Sequence, residues 1–105
     1  MHLNSHILAP ASNYINGLAL ADNAAVLSDI EAMKSGDFDS VHTKQLKGEV
    51  RELIVGRHRI SYCNVGSTLY FIRGFYKKSA KTPKYEIEYA AQVLKLIKIH
   101  HENKN

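Results

Sequence analysis

Between Glu49 and Tyr76 the apolar positions step in twos. "EVRELIVG", "RHRISYCN" and "STLYFIRGFY" are three runs rich in Val, Ile, Tyr and Phe, and this pattern predicts strands. Gly56 and the group Asn64-Val65-Gly66-Ser67 separate them as short hairpin connections. Before and after these runs the period is that of a helix. Residues 10–37 read as two helices, or one broken near Gly17 or Asp22-Asn23. Tyr14, Leu18 and Ala21 share one face, and Ala25, Leu27, Ile30 and Met33 form a second stripe. Ser12 and Asp22 are the expected N-caps and Gly36 the stop. "HLNSHIL" (2–8) alternates only partly and is the weaker strand. After the third run, Thr82 as N-cap, Pro83 at the first helical position and Glu86 and Glu88 near the first turn announce a last helix. Ile87, Ala91, Leu94 and Ile97 would be its apolar face, to about His100, with "HENKN" fraying. The order predicts a single α+β domain over residues 1–105. Its small antiparallel sheet would carry two N-terminal helices and a C-terminal helix packed on one face, leaving the other face open.

Charge changes this picture more than composition does. The chain has 105 residues with 45% hydrophobic and 23% charged content, ordinary for one globular domain. One cysteine, Cys63, excludes an internal disulfide and suits a cytoplasmic setting as a buried structural thiol. No run reaches the roughly 18 apolar residues of a membrane span, and the start lacks a signal-peptide pattern. Residues 1–43 carry one basic and five acidic residues, a net of −4. Residues 44–84 carry ten basic residues against Glu49 and Glu52, a net of +8. Such asymmetry points to a polyanionic partner, against the plainer reading of a solvated lysine-rich face.

Alternation sorts the strands into sides. Arg51 goes with Leu53 and Val55, opposite Val50, Glu52 and Ile54. Arg57, Arg59, Ser61 and Cys63 lie opposite His58, Ile60 and Tyr62. Leu69, Phe71, Arg73 and Phe75 lie opposite Tyr70, Ile72, Gly74 and Tyr76. Alternation alone does not make Arg59 and Arg73 neighbours, but in a three-stranded sheet Arg57, Arg59, Arg73, Lys77 and Lys78 should lie close together, with Lys81 and Lys84 following in the loop. Arginine forks match phosphate oxygens in pairs, whereas lysine acts as a point charge. Tyr76, beside the lysines, is the ring best placed to stack on a base; Tyr62, Tyr70 and Phe71 read as core. His2, His6 and His42 lack metal-ligand spacing, so neither a metal nor another cofactor is expected.

"KQLKGEVRELIVGRHRISYC" and "LYFIRGFYKKSAKTPKYEIEYA" together resemble the RelE/ParE toxin superfamily, in its phage-derived, HigB-like killer-protein branch. The matching elements are Lys44 to Gly48, Arg51, Gly56 to Arg59, and Gly74 to Ala90. They span roughly the C-terminal 60 residues, while the N-terminal helices fit in order and length. The resemblance implies a RelE-like fold and a type II toxin, usually a metal-independent endoribonuclease that cuts mRNA in the ribosome. It also implies neutralisation by an antitoxin, commonly a helix-turn-helix (HigA-like) protein. By the same resemblance Arg51, Arg59, Lys77 and Lys78 would be catalytic: Arg59 as the phosphate-holding arginine, Arg51 near a basic position of RelE-type enzymes, the lysines in transition-state stabilisation or acid catalysis. Lys47, Arg57, Arg73, Tyr76, Lys81 and Lys84 would bind RNA, and Tyr85 falls near a family tyrosine.

The pattern departs from the family in offering no obvious general base. Arg51 stays protonated, and Glu52 falls on the side away from it. Histidine is the side-chain type suited to proton transfer near neutral pH, but His58 alternates with Arg57 and Arg59 towards the helices. His100-His101 reads as a polar helix end. Two other readings follow. One is a ParE-like inhibitor of DNA gyrase without nuclease chemistry, and the other a non-catalytic basic nucleic-acid-binding phage domain.

Overall fold

The structure, a computed structural model, describes residues 2–103. The elements in chain order are β1 (Asn4–Ile7), α1 (Ala9–Asn16), α2 (Leu20–Lys34), a 3-10 turn (Phe38–Ser40), β2 (His42–Lys47), β3 (Val50–Val55), β4 (His58–Val65), β5 (Thr68–Tyr76) and α3 (Lys84–Asn103). The helical region breaks at Gly17, and Gly36, at φ +83°, follows the end of α2. Neither Ser12 nor Asp22 caps a helix: the cap positions are Leu8 and Ala19, without side-chain bonds. The buried residues of α2 are Val26, Ile30 and Met33, so the stripe runs through Val26 and leaves Ala25 and Leu27 exposed. Helix α3 continues past His100 to Asn103, and the expected fraying of residues 104–105 lies outside the described residues.

The α+β class holds, but the sheet is larger than three strands and is mixed. Its order is β1-β5-β4-β3-β2. Strands β2 to β5 form the antiparallel meander, and β1 adds in parallel to β5, Asn4 facing Thr68 and Ile7 facing Phe71. The helices also do not share one face. Leu53, Ile60, Tyr62, Leu69 and Phe71 pack under α1 and α2 with Ala11, Ile15, Val26, Ile30 and Met33. Val50, Cys63, Val65 and Ile72 point the other way, into a second cluster with Ala90, Leu94 and Ile97 of α3. An apolar set on both sides of central strands explains why β4 and β5 show blurred alternation. No face is left bare; α3 covers the one expected to be open.

One irregularity decides which side chains meet. Tyr62 pairs with Phe71 but Ser61 pairs with Arg73, so β5 gains a residue at a bulge. Beyond it the sides exchange. Gly74 and Tyr76 join the α1–α2 side, while Arg73 and Phe75 join the α3 side, opposite to simple alternation from Leu69.

Candidate functional site

On the α3 side, near the β3–β4 turn, the sheet changes from apolar to charged. Cross-strand pairing sets Lys44 beside Glu52, Glu52 beside Ser61 and Ser61 beside Arg73, one row across four strands. The next row holds His42, Ile54, Arg59 and Phe75. Residues directly opposite on neighbouring strands share a face, so these side chains converge.

Glu52 is fully buried and Arg59 is 9% exposed. Their nearest charged atoms, Arg59 Nε and Glu52 Oε2, are 3.8 Å apart, and neither atom has a hydrogen-bond partner. That separation is a charge contact without a hydrogen bond. Arg59 also donates through Nη1 to the carbonyls of Gly56 (2.7 Å) and His58 (3.2 Å), bracing the β3–β4 turn. Above Glu52 lies the connection 77–83. The Thr82 hydroxyl donates to Glu52 Oε1 at 2.9 Å, so it holds the connection down instead of capping α3. A cleft of about 230 Å³ opens between this connection and β2, and Lys44, Lys81, Thr82 and Ile87 are among its lining residues. Two cations at the mouth, with a carboxylate and an arginine beneath Thr82, can receive an anion and exchange proton and charge with it.

The second arginine of this face repeats the arrangement. Arg73 Nε lies 3.0 Å from Glu86 Oε1, and the guanidinium sits 5.2 Å from the centre of the Tyr89 ring. Burial pushes the Glu86 carboxyl above its ordinary value of 4.5, outweighing the pull of Arg73 in the other direction. A folded pKa above the unfolded one means the folded chain holds that proton more tightly. Stability from this group is therefore complete below about pH 4.5 and is lost as pH rises through the higher folded value. We expect Glu86→Gln to be neutral or stabilising near pH 7 and to flatten the gain that wild type shows on acidification. Thermal melts of both proteins between about pH 4 and 7 check this, and a variant that keeps the wild-type slope would contradict it.

The residues singled out from sequence are dispersed over several places. Arg59, Arg73 and Lys81 belong to this charged face or its rim. Arg57 and Lys77 meet at the neighbouring sheet end, where Lys77 N–H donates to the Arg57 carbonyl (2.8 Å) and Arg57 Nη1 to the Lys77 carbonyl (3.2 Å). Lys78 is exposed just after them, and Lys84 sits exposed on α3, 3.8 Å from Glu88.

Arg51, Lys47 and Tyr76 are elsewhere. Arg51 projects on the α1–α2 side, donating to the hydroxyls of Tyr62 (3.3 Å) and Thr43 (3.4 Å) beside a cleft that includes Phe38 and Asn64. Lys47 lies at the β2–β3 turn, the far end of the sheet. Tyr76 joins His58 on the α1–α2 side, their rings edge to face at 5.7 Å. His58 is tied at both nitrogens, to the Tyr14 hydroxyl (2.6 Å) and Asp22 Oδ2 (3.1 Å), which removes it from the charged face.

Glu52 and Lys44 are the residues sequence reasoning missed. The signal was present: a two-residue turn at Gly56-Arg57 sets Val55 against His58 and hence Glu52 and Arg59 on one face. Cys63 is buried, and burial pushes its thiol up to about 11, as for a structural cysteine. Among the described residues, no group of His, Cys, Asp and Glu is placed to hold a metal ion, and no helix is long and apolar enough to cross a membrane.

Comparison with known proteins bears on the family and the fold. The family model described as phage derived protein Gp49-like matches residues 13–95. The fold is similar to that in the toxin–antitoxin complex RelBE2 from Mycobacterium tuberculosis, with a TM-score of 0.55 and 17% identity over 73% of this chain and 100% of that one. It is similar also to the archaeal RelE–RelB complex from Pyrococcus horikoshii OT3, with a TM-score of 0.62 and 15% identity over 76% of this chain and 100% of that one. At such identities the likeness is one of fold. No curated protein matches the chain in sequence.

Proposed function

The chain belongs to the phage-derived Gp49-like family within the RelE superfamily, and from that premise we propose that it is the toxin of a type II toxin–antitoxin system, cutting mRNA at the ribosome. The observation that carries the reading is the cleft between Lys44 and Lys81, with Glu52 and Arg59 beneath Thr82. RNA cleavage without a metal needs a base for the 2′-OH, positive charge for the pentacoordinate phosphate and an acid for the leaving 5′ oxygen. Glu52, with Oε2 unbonded, is the base. Arg59 and Arg73 exchange carboxylate for phosphate as RNA enters. Lys44, Lys81, Arg57, Lys77 and Lys78 hold the backbone, and a lysine crowded by these cations donates the proton to the leaving oxygen. The protein acts in the cytoplasm, where its target is. An antitoxin of helix-turn-helix (HigA-like) type neutralises it by laying acidic side chains over the same cations.

A ParE-like, non-nuclease toxin is the second reading. What favours it is that the Arg59 guanidinium already serves Gly56, His58 and Glu52 in holding the turn.

The test is induction in cells with mapping of transcript 5′ ends and of gyrase-linked DNA breaks. Arg59→Ala is a poor variant here, because it strands a buried carboxylate; Lys44→Ala with Lys81→Ala is the better one, both side chains being at the rim. We expect new 5′ ends inside translated mRNA, reduced on the order of a hundredfold in the double variant, about tenfold per lost charge-assisted contact. Intact transcripts with broken DNA would assign the chain to the ParE-like side, and undiminished cutting by the variant would remove the cleft from the mechanism.

A further inference from the structure

Helix α3 carries two apolar seams; the fold covers one and touches the other where Tyr89 meets Arg73. Ala90, Leu94 and Ile97 pack on the sheet. Tyr85, Tyr89, Gln92, Leu96 and Ile99 recur at alternating steps of four and three along another face, the spacing of a helix–helix seam. This face is turned to solvent, with Tyr85 65%, Leu96 66% and Ile99 50% exposed. Leu96 also borders a cavity of about 300 Å³, whose walls include Leu8, Tyr70, Val93 and Ile97. An exposed apolar stripe continuous with an apolar cavity marks an interaction surface.

We propose that its occupant is a second copy of this chain, the two α3 helices lying antiparallel across a two-fold axis. A two-fold interface must be complementary to itself: if one residue meets another, the reverse contact occurs as well. The stripe meets that condition. An antiparallel register that sets Leu96 against Tyr85 of the second copy also sets Tyr89 against Gln92 of the second copy, each contact occurring twice. Glu88 and Lys95 lie seven positions apart on one edge of the stripe and are opposite in sign. In antiparallel pairs the same edges of the two helices run side by side, so this register brings Glu88 beside Lys95 of the second copy at both ends. A parallel pair would set these two against Val93 and His100, with no charge matched.

Glu88 is free to change partner, because its contact with Lys84 is a 3.8 Å pair between exposed side chains. The Tyr85 ring of the second copy, arriving at Leu96, reaches the mouth of the cavity. Gln92 near the centre of the seam pins the register, as a polar residue does in helical pairs.

Sedimentation velocity of the full chain, made by chemical synthesis, folded and run over a range of concentrations, tests the proposal. Wild type should sediment at twice the 11.8 kDa chain mass, and Leu96→Glu as a monomer with an unchanged circular dichroism spectrum. Glu88→Lys and Lys95→Glu should each weaken the dimer about tenfold, since each turns two attractions into repulsions. Both reversals in one chain should restore it, an outcome peculiar to a self-complementary surface. A wild-type monomer at every concentration would overturn the proposal, as would a double reversal no tighter than the singles. So would a monomer whose Leu96 face becomes protected only on adding an antitoxin.

Discussion

Replacing Glu52 with alanine is expected to destabilise the fold by about 3–5 kcal/mol, as removal of one partner from a buried ion pair does. Arg59 would keep its side chain 11% exposed with no opposite charge near it, and the Thr82 hydroxyl would lose its acceptor. The connection 77–83 would then be held less tightly, so the damage should reach the lysines as well as the sheet. Urea titration gives the comparison, with an unchanged slope expected for a loss of stability alone. Glu52→Leu combined with Arg59→Met should recover most of the loss, because an apolar pair of similar volume carries no desolvation penalty. A Glu52→Ala protein within about 1 kcal/mol of wild type would mean that the pair is better hydrated than its burial implies.

Gly74→Ala is expected to cost about 2–3 kcal/mol, at the upper end for overpacking. A Cβ at this position would come within 2.7 Å of Tyr14 Cβ and closer still to its ring. Tyr14 cannot simply retreat, since its hydroxyl donates to His58, which in turn holds Asp22. That chain joins α1, β4 and α2, so a displaced ring loosens the helical hairpin from the sheet. In a Tyr14→Ala background the same substitution should cost little, and this non-additivity is what a double-mutant cycle would read. Additive effects would place the strain somewhere other than the Tyr14 ring.

How far the fold was legible follows from what each residue has to say locally. Strands β3, β4 and β5 carry Val, Ile, Tyr and Phe in strand-like runs, and were plain. Strand β2, "HTKQLK", is an exposed edge made largely of polar residues, and nothing in its pattern separates it from a loop. The sides of β3 and β4 could be read, which put Arg59 opposite His58 correctly. Arg73 could not, because the bulge that turns it towards Arg59 and Glu86 has no signature between Phe71 and Arg73. The candidate site suffered from the same cause. The family resemblance grouped Arg51 with Arg59, whereas the hairpin puts them on opposite faces and gives Arg59 a buried carboxylate instead.

The parallel pairing of β1 with β5 has a consequence for the order of events in synthesis. Asn4–Ile7 are made before the other strands and helices of the fold, yet their partners Thr68–Phe71 follow only after α1, α2 and strands β2 to β4 have been made. Until then the nascent chain has its first strand unpaired, and closure of so long a loop is slow compared with the local hairpins. The meander can assemble early, while β1 docks among the last events. Glu86, the counter-charge of Arg73, arrives later still. A ribosome translating this message therefore carries an unfinished charged face until the first turn of α3 has been made, and that face takes its final form only once Glu86 reaches Arg73.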